Sequence, residues 1–181
     1  MNFKSGIGLL LCLPILIMMG AYIYSGIVFD IDIGGHMKRA ADANTIEMAT
    51  EEMRIVVDQI ETKGYTTGYT SIIYRTPDED VGFWYRNMNS SLSELESVPV
   101  TATPLERSNI LMKLRETLLD SGQNGDDITT PPGIPRYPDN KWYATLGWMS
   151  LITLIFGIYL YDKGRTEEQY ITSRHRKHAF D

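Results

Sequence analysis

Two long stretches without a charged side chain set the terms for this chain: twenty-five residues between Lys4 and Asp30, and twenty more from Trp142 to Tyr161. At about 1.5 Å per helical residue, each can cross a hydrocarbon layer of about 30 Å. The first, Gly6 to Phe29, predicts a transmembrane helix. Lys4 forms a short positive leader, but the apolar run is longer than an ordinary signal-peptide core and no small-residue cleavage site follows, so an uncleaved signal anchor is expected. The second, residues 142–161, carries Trp142, Tyr143 and Trp148 near one end and Tyr159 and Tyr161 at the other, the aromatic belt of a spanning helix. Gly8, Gly20, Gly147 and Gly157 are candidate points of close helix approach, although none forms a GxxxG pair.

Whole-chain averages conceal this division. With 181 residues, 43% hydrophobic, 22% charged, a net charge of −6 and a mean hydropathy of −0.19, the composition matches an ordinary acidic soluble domain. Cut at the apolar stretches, residues 30–141 hold 11 basic against 19 acidic side chains, while residues 162–181 hold 5 against 4. Basic residues near membrane ends face the cytoplasm, so Lys4, Lys163 and Arg165 assign both tails (1–5 and 162–181) to the cytoplasm and the acidic middle to the other side. The expected location is an integral membrane protein, of the bacterial inner membrane, with residues 30–141 periplasmic or extracellular.

Chemistry is more sharply excluded than assigned. The single Cys12 rules out an intramolecular disulfide and a multi-cysteine metal or haem centre. His36, His175 and His178 are too few and too scattered for a three-histidine site. No phosphate-binding, dinucleotide-binding, zinc-protease or nucleophile-elbow string occurs. A negative net charge argues against nucleic acid. No catalytic residue, metal ligand or cofactor is expected.

Within 30–141, Asp30-Ile31-Asp32-Ile33-Gly34-Gly35 reads as a hinge, because charge ends the apolar run and two glycines break or kink a helix. A helix is predicted over about 36–63, with Ile46, Ala49, Met53, Val56 and Ile60 on one stripe and Glu47, Glu51, Glu52, Asp58 and Glu61 on a solvated face. Thr76-Pro77-Asp78-Glu79-Asp80 opens a second, about 77–97, striped by Val81, Trp84, Tyr85, Met88, Leu92 and Leu95. A capping box at Thr103-Pro104-Leu105-Glu106 opens a third, about 104–121, with Ile110, Leu111, Leu114 and Leu118. Residues 123–141, holding Pro131, Pro132, Pro135 and Pro138, suit an extended return strap. The expected fold is mainly α: a two-transmembrane-helix hairpin carrying an extracytoplasmic antiparallel three-helix bundle with a Pro-rich strap.

Two groups of side chains are candidates for contact with other molecules. Tyr65, Tyr69 and Tyr74, in the segment GYTTGYTSIIYR at the bundle end expected to lie far from the membrane, form a candidate partner surface; their bland role is to lid the core. Arg174, Arg176 and Lys177 form the one basic cluster, a candidate contact for anionic lipid headgroups or a topology determinant. Asp78, Glu79 and Asp80 are explained by their place in a first helical turn, Phe83, Trp84 and Tyr85 by a core stripe, and the cluster of Asp30, Asp32 and His36 by an interfacial position. The layout of span, helices and second span resembles the sensory half of bacterial chemoreceptors in architecture alone, because twenty residues after Tyr161 hold no effector domain. The function expected is therefore a non-enzymatic membrane protein whose extracytoplasmic helices bind another protein, as an accessory or scaffold subunit of a membrane complex; the alternative is a sensor or ligand-binding module signalling through a partner.

Overall fold

The computed structural model describes residues 3–122 and 125–178, and the side chains of all of these except 121, 122, 125, 126, 171 and 174–178. The chain is mainly helical, and two of its helices, Phe3–Ala41 and Asn140–Tyr170, are long and apolar enough to cross a membrane. It divides into two compact units, Ser25–Asn140 and the apolar unit made of residues 1–24 and 141–181.

In the apolar unit, α1 (Phe3–Leu11) and α2 (Leu13–Phe29) are separated by a turn at Cys12. Pro14 supplies no backbone N–H, so the helical bonding is interrupted at this point. α7 (Asn140–His178) is one 39-residue helix, continuing well past the expected end at Tyr161. α1 and α7 pack antiparallel: Lys4 bonds Glu167 at 2.6 Å, Ser5 faces Gly164, and Gly8 faces Gly157 and Tyr161. The approach is backbone on backbone, since a Cβ on Gly8 would stand 2.6 Å from the Gly157 carbonyl oxygen. Of the four glycines expected to permit close approach, Gly8 and Gly157 do so, whereas Gly20 and Gly147 have nothing within 4 Å. Ser150, Gly157 and Gly164 recur every seventh residue on α7 and all three are buried, a small-residue seam of the kind that brings helices together in lipid. The other faces are apolar and bare: Ile17 is 71% exposed and Ile152 65%.

The second unit begins inside α2. The expected hinge at residues 30–35 is instead a π-helical turn, Asp30–Gly34, through which the helix continues into α3 (Gly35–Ala41). The Gly35 N–H bonds the Asp30 carbonyl, the i to i−5 pattern of a π turn. A Cβ on Gly35 would lie 3.0 Å from that same oxygen, so the glycines here admit the wider turn and do not break the helix.

The single helix expected over 36–63 is two. α3 stops at Ala41, and after a short link Thr45, in extended conformation, accepts a hydrogen bond from the Met48 N–H and caps α4 (Ile46–Thr62). α4 folds back along α3, so Lys63 just beyond it reaches Asp32 at 2.8 Å. Its expected stripe, Ile46, Ala49, Met53, Val56 and Ile60, is buried.

α5 (Val81–Glu96) starts four residues later than expected, because Pro77–Glu79 forms a separate 3-10 turn and Asp80 is the cap, its carboxylate accepting from the Phe83 N–H at 2.9 Å. α6 (Pro104–Leu118) opens on the expected capping box: Thr103 accepts from the Glu106 N–H, and Glu106 accepts from the Thr103 N–H at 2.7 Å. It ends before residue 121, giving way to an antiparallel hairpin of β1 (Leu119–Gly122) and β2 (Gly125–Ile128) that the sequence did not suggest. A 3-10 turn, Ile134–Arg136, then leads to α7. Four helical segments, α3 to α6, therefore surround the core where three were expected. Ile33, Met37, Met53, Ile60, Val81, Met88, Leu118 and Ile134 are fully buried in it. Removing such a side chain from water contributes about 1.5–3 kcal/mol.

Candidate functional site

The extra reversal at residues 42–45 decides which side chains meet at each end of the Ser25–Asn140 unit. With α4 running back along α3, the segment 64–76 lies beside Asp32, at the end where the chain enters from α2. The expectation placed this segment at the opposite end, as a single helix over 36–63 would have done. The same end holds the exit toward α7: the Tyr137 hydroxyl donates to the Thr67 carbonyl, and Asn140 Nδ2 donates to the Thr70 carbonyl at 2.7 Å.

The three tyrosines of this segment have separate environments. Tyr65 is buried and meets Tyr137 edge to face, with ring centroids 5.9 Å apart, the lid role. Tyr69 lies under the Arg75 guanidinium, 5.5 Å from its ring centroid. Tyr74 is 75% exposed. Beside them, Tyr85 donates its hydroxyl to Glu61 at 2.7 Å, and that bond to a carboxylate raises the phenol above its ordinary range. Of the basic candidates, the α7 backbone passes through Arg174, Arg176 and Lys177, but their side chains lie outside the described residues.

Along α3 and α4 the structure separates the cluster of Asp30, Asp32 and His36. Asp32 pairs with Lys63, and His36 Nδ1 lies 2.6 Å from Glu52. Glu52, expected on a solvated face, is only 7% exposed and also receives Arg39 at 2.5 Å. A carboxylate so sheltered needs its partners, so the α3–α4 pairing carries an electrostatic lock as well as an apolar seam. The signal in the sequence was Glu52 at the third position after Ala49, on the edge of the buried stripe.

The opposite end bears an open groove of about 570 Å³ between the α3–α4 link and α6. Ala41, Ile46 and Leu111 contribute apolar walls, and Met112, 54% exposed, stands at its edge. Two ion pairs flank it: Arg115 with Asp42 at 2.5 Å and Arg107 with Glu47 at 3.3 Å. Glu47 is held below its ordinary range chiefly by its own backbone N–H at the helix start, with the Thr45 hydroxyl and Arg107 adding to the effect. Arg107 also donates to the Val100 carbonyl at 3.0 Å, tying the α5–α6 link to the groove. From the sequence, Ile46 and Leu111 fall on core stripes, Glu47 on a solvated face and Pro104 in a capping box, and nothing there brings them together, because the groove forms only when residues 42–45 reverse the chain beside α6. Among the described residues no group of three or more metal-ligating side chains converges. No family model matches the chain, and no curated protein or solved structure gives a significant match.

Proposed function

We propose that this chain is a non-enzymatic integral membrane protein, anchored by a hairpin of α1 and α2 against α7, whose Ser25–Asn140 unit faces away from the cytoplasm and binds another protein as an accessory or scaffold subunit of a membrane complex. The groove between the α3–α4 link and α6 is the observation that carries this reading. An apolar floor with a charged rim is the anatomy of a protein interface; Met112, one of its lining residues, is 54% exposed, and Leu105, next in sequence to the lining residue Pro104, is 71% exposed.

Membrane anchoring is supported by where the apolar side chains point. The most apolar windows of the two long helices are only 6% and 11% buried. A core helix of a soluble protein would bury such side chains, whereas lipid accepts them without cost. The antiparallel α1–α7 pairing, closed by Lys4 and Glu167, supports a hairpin with both tails on one side. The basic residues near those tails favour the cytoplasm for that side.

Purification of the full chain in mild detergent should recover a larger assembly at fixed stoichiometry. The pair of substitutions Met112→Glu and Leu105→Glu should release the partner while leaving the melting temperature unchanged. A chain that elutes alone, or a double variant that keeps its partner, would refute the groove as the binding surface. Protease reaching the C-terminal tail from outside intact cells would refute the orientation.

A further inference from the structure

We propose that the segment Tyr69–Arg75 is an interfacial anchor that dips into the polar–apolar boundary of the bilayer beside the spanning helices. This inference rests on the membrane reading above. Its first support is exposure that no packing role explains: Ile73 is 81% exposed, Tyr74 75%, Ile72 47% and Tyr69 38%. Four apolar or aromatic side chains within six residues form a compact protrusion, costly in water and favourable at an interface.

Position is the second support. The segment begins six residues after Lys63, which is bonded to Asp32, three residues beyond the end of α2. Its start is held through Thr70 by Asn140, two residues before the second apolar stretch opens at Trp142. Both routes from the unit into the apolar helices therefore leave from the end that carries the protrusion. A protein partner docking on the far groove would leave this end uncovered; a lipid surface would not.

The residue order fits the depth profile of a bilayer boundary. Ile72 and Ile73 supply the apolar tip, Tyr69 and Tyr74 have an apolar ring with a polar hydroxyl suited to the headgroup level, and Arg75 has a long stem with a charge that reaches water. Asp78, Glu79 and Asp80 follow closely. These carboxylates oppose attraction to anionic lipid, so insertion is driven by the apolar tip and holds in zwitterionic bilayers.

The test uses the full chain in phosphatidylcholine vesicles, in a Cys12→Ser background, with an environment-sensitive NBD fluorophore placed singly by Ile73→Cys, Val100→Cys or Ile155→Cys. All three sites are well exposed, at 81%, 92% and 62%, so labelling disturbs no packing. The probe at Ile73→Cys should be blue-shifted relative to that at Val100→Cys, and quenched by lipid spin-labelled near the headgroup. The probe at Ile155→Cys should be quenched by lipid labelled deep in the acyl chain. If Ile73→Cys matches Val100→Cys while Ile155→Cys is quenched, the anchor is wrong and the membrane reading stands. A blue shift at Ile73→Cys without lipid quenching would mean that protein covers the segment, which also overturns the anchor. Loss of quenching at Ile155→Cys would overturn the membrane reading and the anchor with it.

Discussion

Alanine in place of Gly157 isolates the contact that joins α1 to α7. A Cβ there would stand 2.7 Å from the Gly8 carbonyl oxygen, 3.0 Å from the Leu11 Cβ and 3.3 Å from the Cys12 sulfur. The nearest of these atoms is backbone and cannot rotate away, so the helices must part by about 0.7 Å to restore an ordinary separation near 3.5 Å. A gap of that order forfeits about a quarter to a half of each dispersion contact along the seam, and overpacking of this kind costs about 1–3 kcal/mol. Gly147, on the same helix, is the control, because a Cβ there meets nothing within 4 Å. Both substitutions gain the same helix propensity of about 1 kcal/mol, so their difference reports the clash alone. At 1.4 kcal/mol per factor of ten, Gly157→Ala should lower the pairing constant relative to Gly147→Ala by roughly 5- to 150-fold. Pyrene labels on Lys4→Cys and Glu167→Cys, whose native side chains meet at 2.6 Å, give excimer emission while α1 and α7 are paired. In a Cys12→Ser background, loss of excimer during a denaturing-detergent titration yields that constant for each variant. Equal midpoints for Gly157→Ala and Gly147→Ala would refute the close crossing.

Glu52→Ala removes the acceptor shared by His36 and Arg39 and should destabilise the fold by about 1–3 kcal/mol, read as a lower melting temperature, whereas Glu51→Ala on the exposed face should change little. Trp84→Phe deletes the 3.0 Å bond from the indole N–H to the Thr129 carbonyl, and a loss of about 1 kcal/mol, with faster amide exchange after β2, is expected. Glu106 is held below its ordinary value of 4.5, chiefly by the Thr103 N–H. A depressed carboxyl stabilises above its unfolded value and loses that contribution as pH falls through the lower folded value, so Glu106→Gln should lower the melting temperature at pH 7, and the deficit should close in acid. A deficit that persists unchanged at low pH would show that the carboxylate charge plays no part in the cap.

Local signals in this chain were legible where one residue type has one physical reason to be there. The Thr103–Glu106 capping box, the apolar stripe of α4 and the two uncharged stretches are of that kind. The hairpin Leu119–Ile128 was not legible, because Asp120, Ser121, Asp126 and Asp127 show none of the alternation or branching that marks a strand. The Thr129 N–H to the Leu118 carbonyl at 2.8 Å adds one more rung to the ladder, and the tertiary support comes from Trp84, whose indole N–H donates to the Thr129 carbonyl at 3.0 Å. Gly164 was not legible for a related reason: it lies beyond the uncharged stretch that ends at Tyr161, and only the extension of α7 brings it against Ser5.

The costliest misreading came from four residues, Asp42 to Thr45. The periodicity from Ile46 onward runs so regularly that the preceding turn of α3 can be joined to it on one stripe, and the cap at Thr45 lacks the glutamate three positions later that would have announced it. The glycines at 34 and 35 compounded the error by suggesting a break where the helix only widens into a π turn. The expectation had no reversal before residue 64; the one at residues 42–45 inserts an antiparallel pass, and one added pass exchanges the two ends for everything downstream. Tyr74 and Ile73 are thereby carried from the expected far tip to the end where α2 enters, and the α5–α6 link, held by Arg107 through the Val100 carbonyl, lies with the α3–α4 link at the opposite end of the unit. In a helical unit the polarity of each surface follows from the number of passes before it, so a single unrecognised cap alters every inference about which face meets lipid and which meets a partner.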